Sequence, residues 1–236
     1  MIWYRLAHLP VSRGLAPAWV EDWAVGAALV PLDGTREAPD VARARAWVSS
    51  LNPLADAPPM SRPEGSVVLR TGCSVGDRPA WMPGGREALE KFLAAMPGDA
   101  EVWLWPAVDH VLSDVPSITG FLRRHAEGVG TPGPRVRLLF DPASMLAPSM
   151  LARAEDHLSR VFEALAAHPA TAAVLLANLS PGSDVEGARL VAWHAGAIGP
   201  RLLADLVRAH VSRDAEIVLI DDRLGEQVEA MRGRGI

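Results

Sequence analysis

The feature that most constrains the fold of this chain is an alternation of short apolar runs with longer amphipathic stretches. Runs this short and this rich in Val, Ile and Leu are typical of strands buried on both faces, as in a parallel sheet. Eight such runs are candidate strands: residues 2–9, 25–32, 48–55, 66–72, 101–106, 135–141, 171–179 and 215–222.

Helical patterns separate the strands in the second half of the chain. In residues 84–98, Leu89, Phe92, Leu93 and Met96 share one face of a predicted helix, which ends at a Pro-Gly pair. Strands that alternate with helices in this way run parallel and are joined by crossover connections. In contrast, the Pro-rich segment 55–66 leaves little room for a helix between the third and fourth strands.

This pattern predicts a (β/α)8 TIM barrel, somewhat trimmed in its N-terminal third, that forms a single domain over residues 1–236. An open doubly wound sheet is the alternative. It is disfavoured because no Gly-rich phosphate loop follows the first strand.

Charge and composition restrict the partners of the protein. Lys and Arg number 23 against 28 Asp and Glu, a net charge of −5, and no basic stripe is present, so we expect no nucleic-acid partner. A single cysteine excludes an intrachain disulfide framework. The sequence has neither a secretion signal nor an apolar stretch long enough to span a membrane, so we predict a cytoplasmic protein with no membrane partner.

Polar side chains stand where the predicted strands end. In a TIM barrel, the functional residues lie at the C-terminal ends of the strands and in the loops that follow. A polar ring with carboxylates is more than a structural core needs, so these residues are candidates for a functional site. Those at strand ends are His8, Arg70, Thr71, Trp105, Asp141, Asn178, Asp221 and Asp222, and those in the following loops are His110 and His194.

From residue 66 onward the chain resembles the xylose isomerase-like TIM barrels, the sugar phosphate isomerase/epimerase superfamily. The closest match is "LLFDPASMLAPSMLARAEDHLSRVFEAL", which is similar to the family's Asp-Pro strand end and the helix after it. Further segments match in the family's order: "VVLRTGCS", "VWLWPAVDHVLSDVPSITGFL", "VLLANLS", "AGAIGPRLLADLVRAH" and "EIVLIDD".

The resemblance implies a divalent metal held by Glu, Asp, His and Glu, but most of these positions have changed. They correspond here to Trp105, Asp141, Asn178 and Asp221. Indole offers no lone pair to a metal, and the Asn amide offers one neutral oxygen where imidazole would offer nitrogen. We therefore expect that the family's metal is lost and that no cofactor takes its place.

The leading hypothesis is a metal-independent isomerase, epimerase or lyase that acts on a small polyol, sugar or cyclic metabolite. Asp141 and Asp221 would be the catalytic acid–base pair, because repulsion and desolvation would raise the pKa of one of two converging carboxylates. The predicted substrate contacts are Arg70, Trp105, His110, Asn178 and His194.

Two other functions remain open. The first is a non-catalytic barrel, a pseudoenzyme that binds a ligand or a partner protein. The second is a metalloenzyme with relocated ligands, drawn from His110, Asp141, His194 and Asp221. Asp141 also has a purely structural alternative, in which it caps the turn through Pro142, Ala143 and Ser144.

Overall fold

The computed structural model describes residues 2–8, 27–32, 46–50, 66–72, 83–108, 110–126, 133–180, 190–220 and 223–236. The strands in these ranges are β1 (Ile2–His8), β2 (Ala27–Pro31), β3 (Ala46–Ser50), β4 (Ser66–Arg70), β5 (Glu101–Trp105), β6 (Arg135–Phe140), β7 (Thr171–Leu179), β8 (Leu190–Ala192) and β9 (Glu216–Ile220). The α-helices are α1 (Pro83–Ala95), α2 (Val115–Ala126), α3 (Ala154–Leu165), α4 (Pro200–His210) and α5 (Leu224–Gly233).

The strands form one curled, mixed sheet. Their order is β6-β5-β4-β3-β2-β1-β9-β7-β8, and an additional pairing joins β6 to β7. The ladders β3–β4, β4–β5, β5–β6, β6–β7, β7–β9 and β1–β9 are parallel. β2 runs antiparallel to both β1 and β3, and β8 runs antiparallel to β7.

Two apolar clusters cover the two faces of this sheet. The larger one combines strand residues with helix residues such as Leu89, Phe121 and Phe162, so it fills the space between sheet and helices. The smaller one is drawn from strand residues, including Trp103, Trp105 and Leu139, and lies on the face that the curl encloses. Successive residues of a strand therefore point alternately into the two clusters.

The helices follow the amphipathic patterns of the sequence. α3 buries Leu158, Val161, Phe162 and Leu165, the spacing of one helical face. α4 begins with Pro200 in its first turn, where the missing N–H costs no intrahelical hydrogen bond. Within the described part of the chain, no helix has both the length and the apolar character needed to cross a membrane.

The predicted (β/α)8 TIM barrel is wrong, although each of the eight predicted strand segments overlaps an observed strand. A (β/α)8 barrel requires parallel strands that alternate with helices, whereas β2 here is reversed between two neighbours and β8 is an added antiparallel strand. The described residues also contain five α-helices rather than eight. The fold is a mixed α/β structure built on a curled sheet.

Candidate functional site

The carboxyl ends of the parallel strands meet along one edge of the sheet, as the sequence predicts. β4, β5 and β6 end there at Arg70, Trp105 and Phe140, and Asp141 follows β6 directly. Asn178 lies one residue before the end of β7. The edge has two distinct parts, one at the ends of β4, β5 and β6 and one at the end of β7.

Asp141 is a fully buried carboxylate that is saturated with hydrogen bonds. Its Oδ1 accepts the backbone N–H groups of Ala143 and Ser144 at 3.1 and 3.2 Å. Its Oδ2 accepts the Trp105 indole N–H at 3.1 Å and the Ser144 hydroxyl. A carboxylate offers about four acceptor sites, and all are used here, which is the geometry of the capping alternative.

Burial nevertheless has the largest effect on the pKa of Asp141. Removal from water raises the pKa of Asp141 above its ordinary value of 3.8, and the hydrogen bonds from Ser144, Trp105 and Ala143 oppose this effect without cancelling it. The catalytic role of Asp141 stays a prediction.

Trp105 forms the base of an exposed cationic site. Its indole N–H is fixed by Asp141, and its side chain is almost fully buried. The guanidinium carbon of Arg70 lies 5.0 Å from the centre of the Trp105 ring, within the range of a cation–π contact. Arg70 is the exposed residue at the end of an otherwise buried β4. We call Arg70, Trp105, Asp141 and Ser144 the Arg70 edge.

His110 contacts both the end of β4 and the loop after β5. Its Nδ1 lies 3.4 Å from the Thr71 hydroxyl, and the Thr71 carbonyl accepts the N–H of Val111. The ring lies so close to Gly72 that a Cβ there would stand 2.5 Å from Nε2, which explains the glycine. Burial, and next the charge of Arg70, lower the pKa of His110 to about 4. The imidazole beside Arg70 is therefore neutral near pH 7.

Asn178 is buried and organises the loop after β8. Its Nδ2 donates to the carbonyls of Trp193 and Ile198 at 2.8 and 2.7 Å, and its Oδ1 accepts the N–H groups of Leu179 and Ile198. A Cβ at Gly196 would stand 2.2 Å from the Asn178 side chain, so the loop wraps closely around the amide. We call Asn178 and residues 193–198 the Asn178 loop.

His194 is carried by this loop and faces α5. Its Nε2 lies 3.5 Å from a carboxylate oxygen of Glu226 in the first turn of that helix. Its Nδ1 is buried without a hydrogen-bond partner, and so is the indole nitrogen of the preceding residue, Trp193. The two rings meet edge to face with centroids 5.9 Å apart.

The carboxylate pair cannot be assembled from the described residues, because Asp221 and Asp222 lie outside them, as does the side chain of His8. Asp221 was also one of the candidate ligands of the relocated metal site. Among the residues that the structure describes, no three His, Cys, Asp or Glu side chains lie close enough together to hold one metal ion.

Comparison with known proteins found no match, either to models of protein families or to curated proteins. Together with the reversed β2, this overturns the resemblance to the xylose isomerase-like barrels. The isomerase activity that rested on that resemblance is not retained.

Two residues of the site escaped sequence analysis. Trp193 and Glu226 carry no motif, and their importance comes from tertiary packing of the loop against α5. Gly196, in "AGAIG", is the one local signal, because a glycine there allows the backbone to approach a buried side chain.

Proposed function

We propose that the Arg70 edge binds a small metabolite through a carboxylate or phosphate group. The observation that carries this proposal is an exposed arginine whose guanidinium lies over an indole that is itself held in place by Asp141. A rigid platform of this kind lowers the entropy that the arginine side chain loses when a ligand binds.

The chemistry of guanidinium favours such a ligand. Its planar donors match two oxygens of a carboxylate or phosphate, and stacking on an aromatic face leaves the in-plane N–H groups free to bind them. In the described residues no ion pair joins Arg70 to a carboxylate. The neutral His110 beside it can accept or donate a hydrogen bond without adding charge.

Titration calorimetry with inorganic phosphate, a sugar phosphate and a small dicarboxylate tests this function. We expect binding by the wild type, a loss of about 30-fold in affinity for Arg70→Ala, and a smaller loss for Arg70→Lys, which keeps the charge but not the planar donors. Arg213→Ala is the control. Arg213 is an exposed arginine that precedes the N-terminal end of β9, whereas Arg70 lies at the C-terminal end of β4. Binding that is equal in wild type and Arg70→Ala, or absent for all three probes, would refute the proposal.

A second candidate function is proton transfer by Asp141, which the burial of this carboxyl group favours because burial raises its pKa. The four hydrogen bonds that it accepts favour a structural role instead. Turnover measurements on ligands that bind the Arg70 edge separate the two roles. Asp141→Asn abolishes turnover in a folded protein if Asp141 transfers a proton, whereas Ser144→Ala then shifts only the pH profile.

A further inference from the structure

We propose that Trp193 and His194 form a second binding site, which takes a hydroxyl group of a polyol-type ligand. This inference does not rest on the anion-binding function, because it concerns different residues, at the ends of β7 and β8. It starts from two buried ring nitrogens on adjacent residues, Trp193 Nε1 and His194 Nδ1, that have no hydrogen-bond partner. An unsatisfied buried polar atom costs about 1–3 kcal/mol, so two on adjacent residues require an explanation.

The backbone that carries these nitrogens is held firmly. The Asn178 amide binds the carbonyl of Trp193 at one end of the loop and both backbone groups of Ile198 at the other. Trp193 itself is fully buried in the larger apolar cluster. The unpartnered nitrogens therefore belong to an ordered arrangement, which is what a binding site requires.

The hydrogen-bonding capacity of the two rings defines the ligand. Indole Nε1–H can only donate. The carboxylate of Glu226, 3.5 Å from His194 Nε2, favours the tautomer that carries its proton on Nε2, which leaves the Nδ1 lone pair as an acceptor. One donor and one acceptor on adjacent residues match a group that both accepts and donates, and a hydroxyl group does both.

The indole N–H resonances of the whole protein give a direct test. In ¹H–¹⁵N spectra, Trp193 is assigned by its loss in Trp193→Phe, and glycerol is titrated as the probe. We expect a saturable shift of the Trp193 resonance and none at Trp105, whose N–H is already bound to Asp141. The control compound 1,2-dimethoxyethane has ether oxygens but no hydroxyl group, and we expect it to bind at least tenfold more weakly.

Variants connect the shift to the proposed chemistry. His194→Gln should weaken glycerol binding about tenfold, the equivalent of one hydrogen bond. Glu226→Gln should change the ¹⁵N signature of the His194 tautomer and weaken binding, whereas Glu229→Gln, an exposed glutamate one turn further along α5, should do neither. Arg70→Ala should leave the titration unchanged, which separates this site from the Arg70 edge.

Three results would overturn the proposal. The first is a Trp193 resonance that does not respond to glycerol, as expected if water alone satisfies the two nitrogens. The second is an equal, non-saturating shift of all indole resonances, which indicates a solvent effect. The third is binding that survives unchanged in His194→Gln.

Discussion

The Arg70 edge and the Asn178 loop both use a saturated, buried polar side chain, but they hold different groups in place. Both place a buried polar side chain at a strand end and saturate it, Asp141 with four donors and Asn178 with two donors and two acceptors. In the first, the hydrogen bonds fix a ring below an exposed charge. In the second, they fix a loop that carries two unpartnered ring nitrogens. The difference suggests that Asp141 supports recognition of an anion and Asn178 recognition of a neutral group.

Asn178→Ala should have the largest effect, because it removes a side-chain partner from four backbone groups, those of Leu179 and Trp193 and both of Ile198. We expect a loss of about 3–5 kcal/mol in the free energy of unfolding, measured by urea denaturation. Asn178→Asp, which has the same shape but cannot donate to Trp193 and Ile198, should also be strongly destabilised. If alanine costs less than about 1 kcal/mol, the amide does not organise the loop and the comparison fails.

His110 should make stability depend on pH at the Arg70 edge. Its pKa is about 4 in the folded protein against an ordinary value of 6.5, so the unfolded chain binds more protons between these values. The stabilisation is complete above the higher pKa and is lost as pH falls through the folded pKa, by about 3 kcal/mol in total. His110→Gln should lack this component, so its unfolding free energy should approach that of the wild type between pH 6.5 and pH 4. Curves that stay parallel over this range would contradict the assignment.

Asp141→Asn tests whether the carboxylate holds the Arg70 edge together. The new amide N–H₂ must face at least one of the four donors that now point at Asp141, so we expect a loss of about 2–3 kcal/mol. Ser144→Ala removes one donor and should cost about 1 kcal/mol, whereas Ser159→Ala should cost less than about 0.5 kcal/mol, because this half-buried serine on α3 makes its hydrogen bond to Glu155 in contact with solvent. Urea denaturation ranks the three. An Asp141→Asn protein as stable as the wild type would show that the cap contributes little.

Arg70→Ala should have the smallest effect on stability. An exposed cation–π contact contributes about 0.5–1 kcal/mol, so thermal unfolding should change little even though anion binding is lost. A large destabilisation would assign Arg70 to the structure rather than to recognition. It would also remove the contrast between an edge built around an exposed charge and a loop built around a neutral pair.

The strand positions could be predicted from the sequence, but their directions could not. Runs such as residues 135–141 and 171–179 are so apolar and so rich in β-prone residues that they form strands in any α/β fold. The hydrophobic periodicity of a sequence does not indicate strand direction, however. A strand of five residues such as β2 can run parallel or antiparallel to its neighbours. The predicted barrel therefore failed at β2, which runs antiparallel to both of its neighbours.

The sequence indicates which polar residues lie at strand ends, but it does not indicate their hydrogen-bond partners. A polar residue that ends an apolar run, such as Asp141 or Asn178, must find hydrogen bonds, and both do. Which groups supply them depends on how distant loops pack. The contacts between Asn178 and Ile198, and between His194 and Glu226, join segments whose sequences give no indication of each other.

The ladder between β1 and β9 has a consequence for synthesis on the ribosome. Ile2 is aligned with Glu216 and Leu6 with Ile220, so β1 can complete its pairing only after almost all of the intervening chain has emerged. Until then, one side of β1 exposes unpaired backbone groups and apolar residues such as Tyr4 and Leu6. Contacts between segments so far apart in sequence form slowly, so the unpaired edge of β1 persists for most of the time that the chain takes to be synthesised.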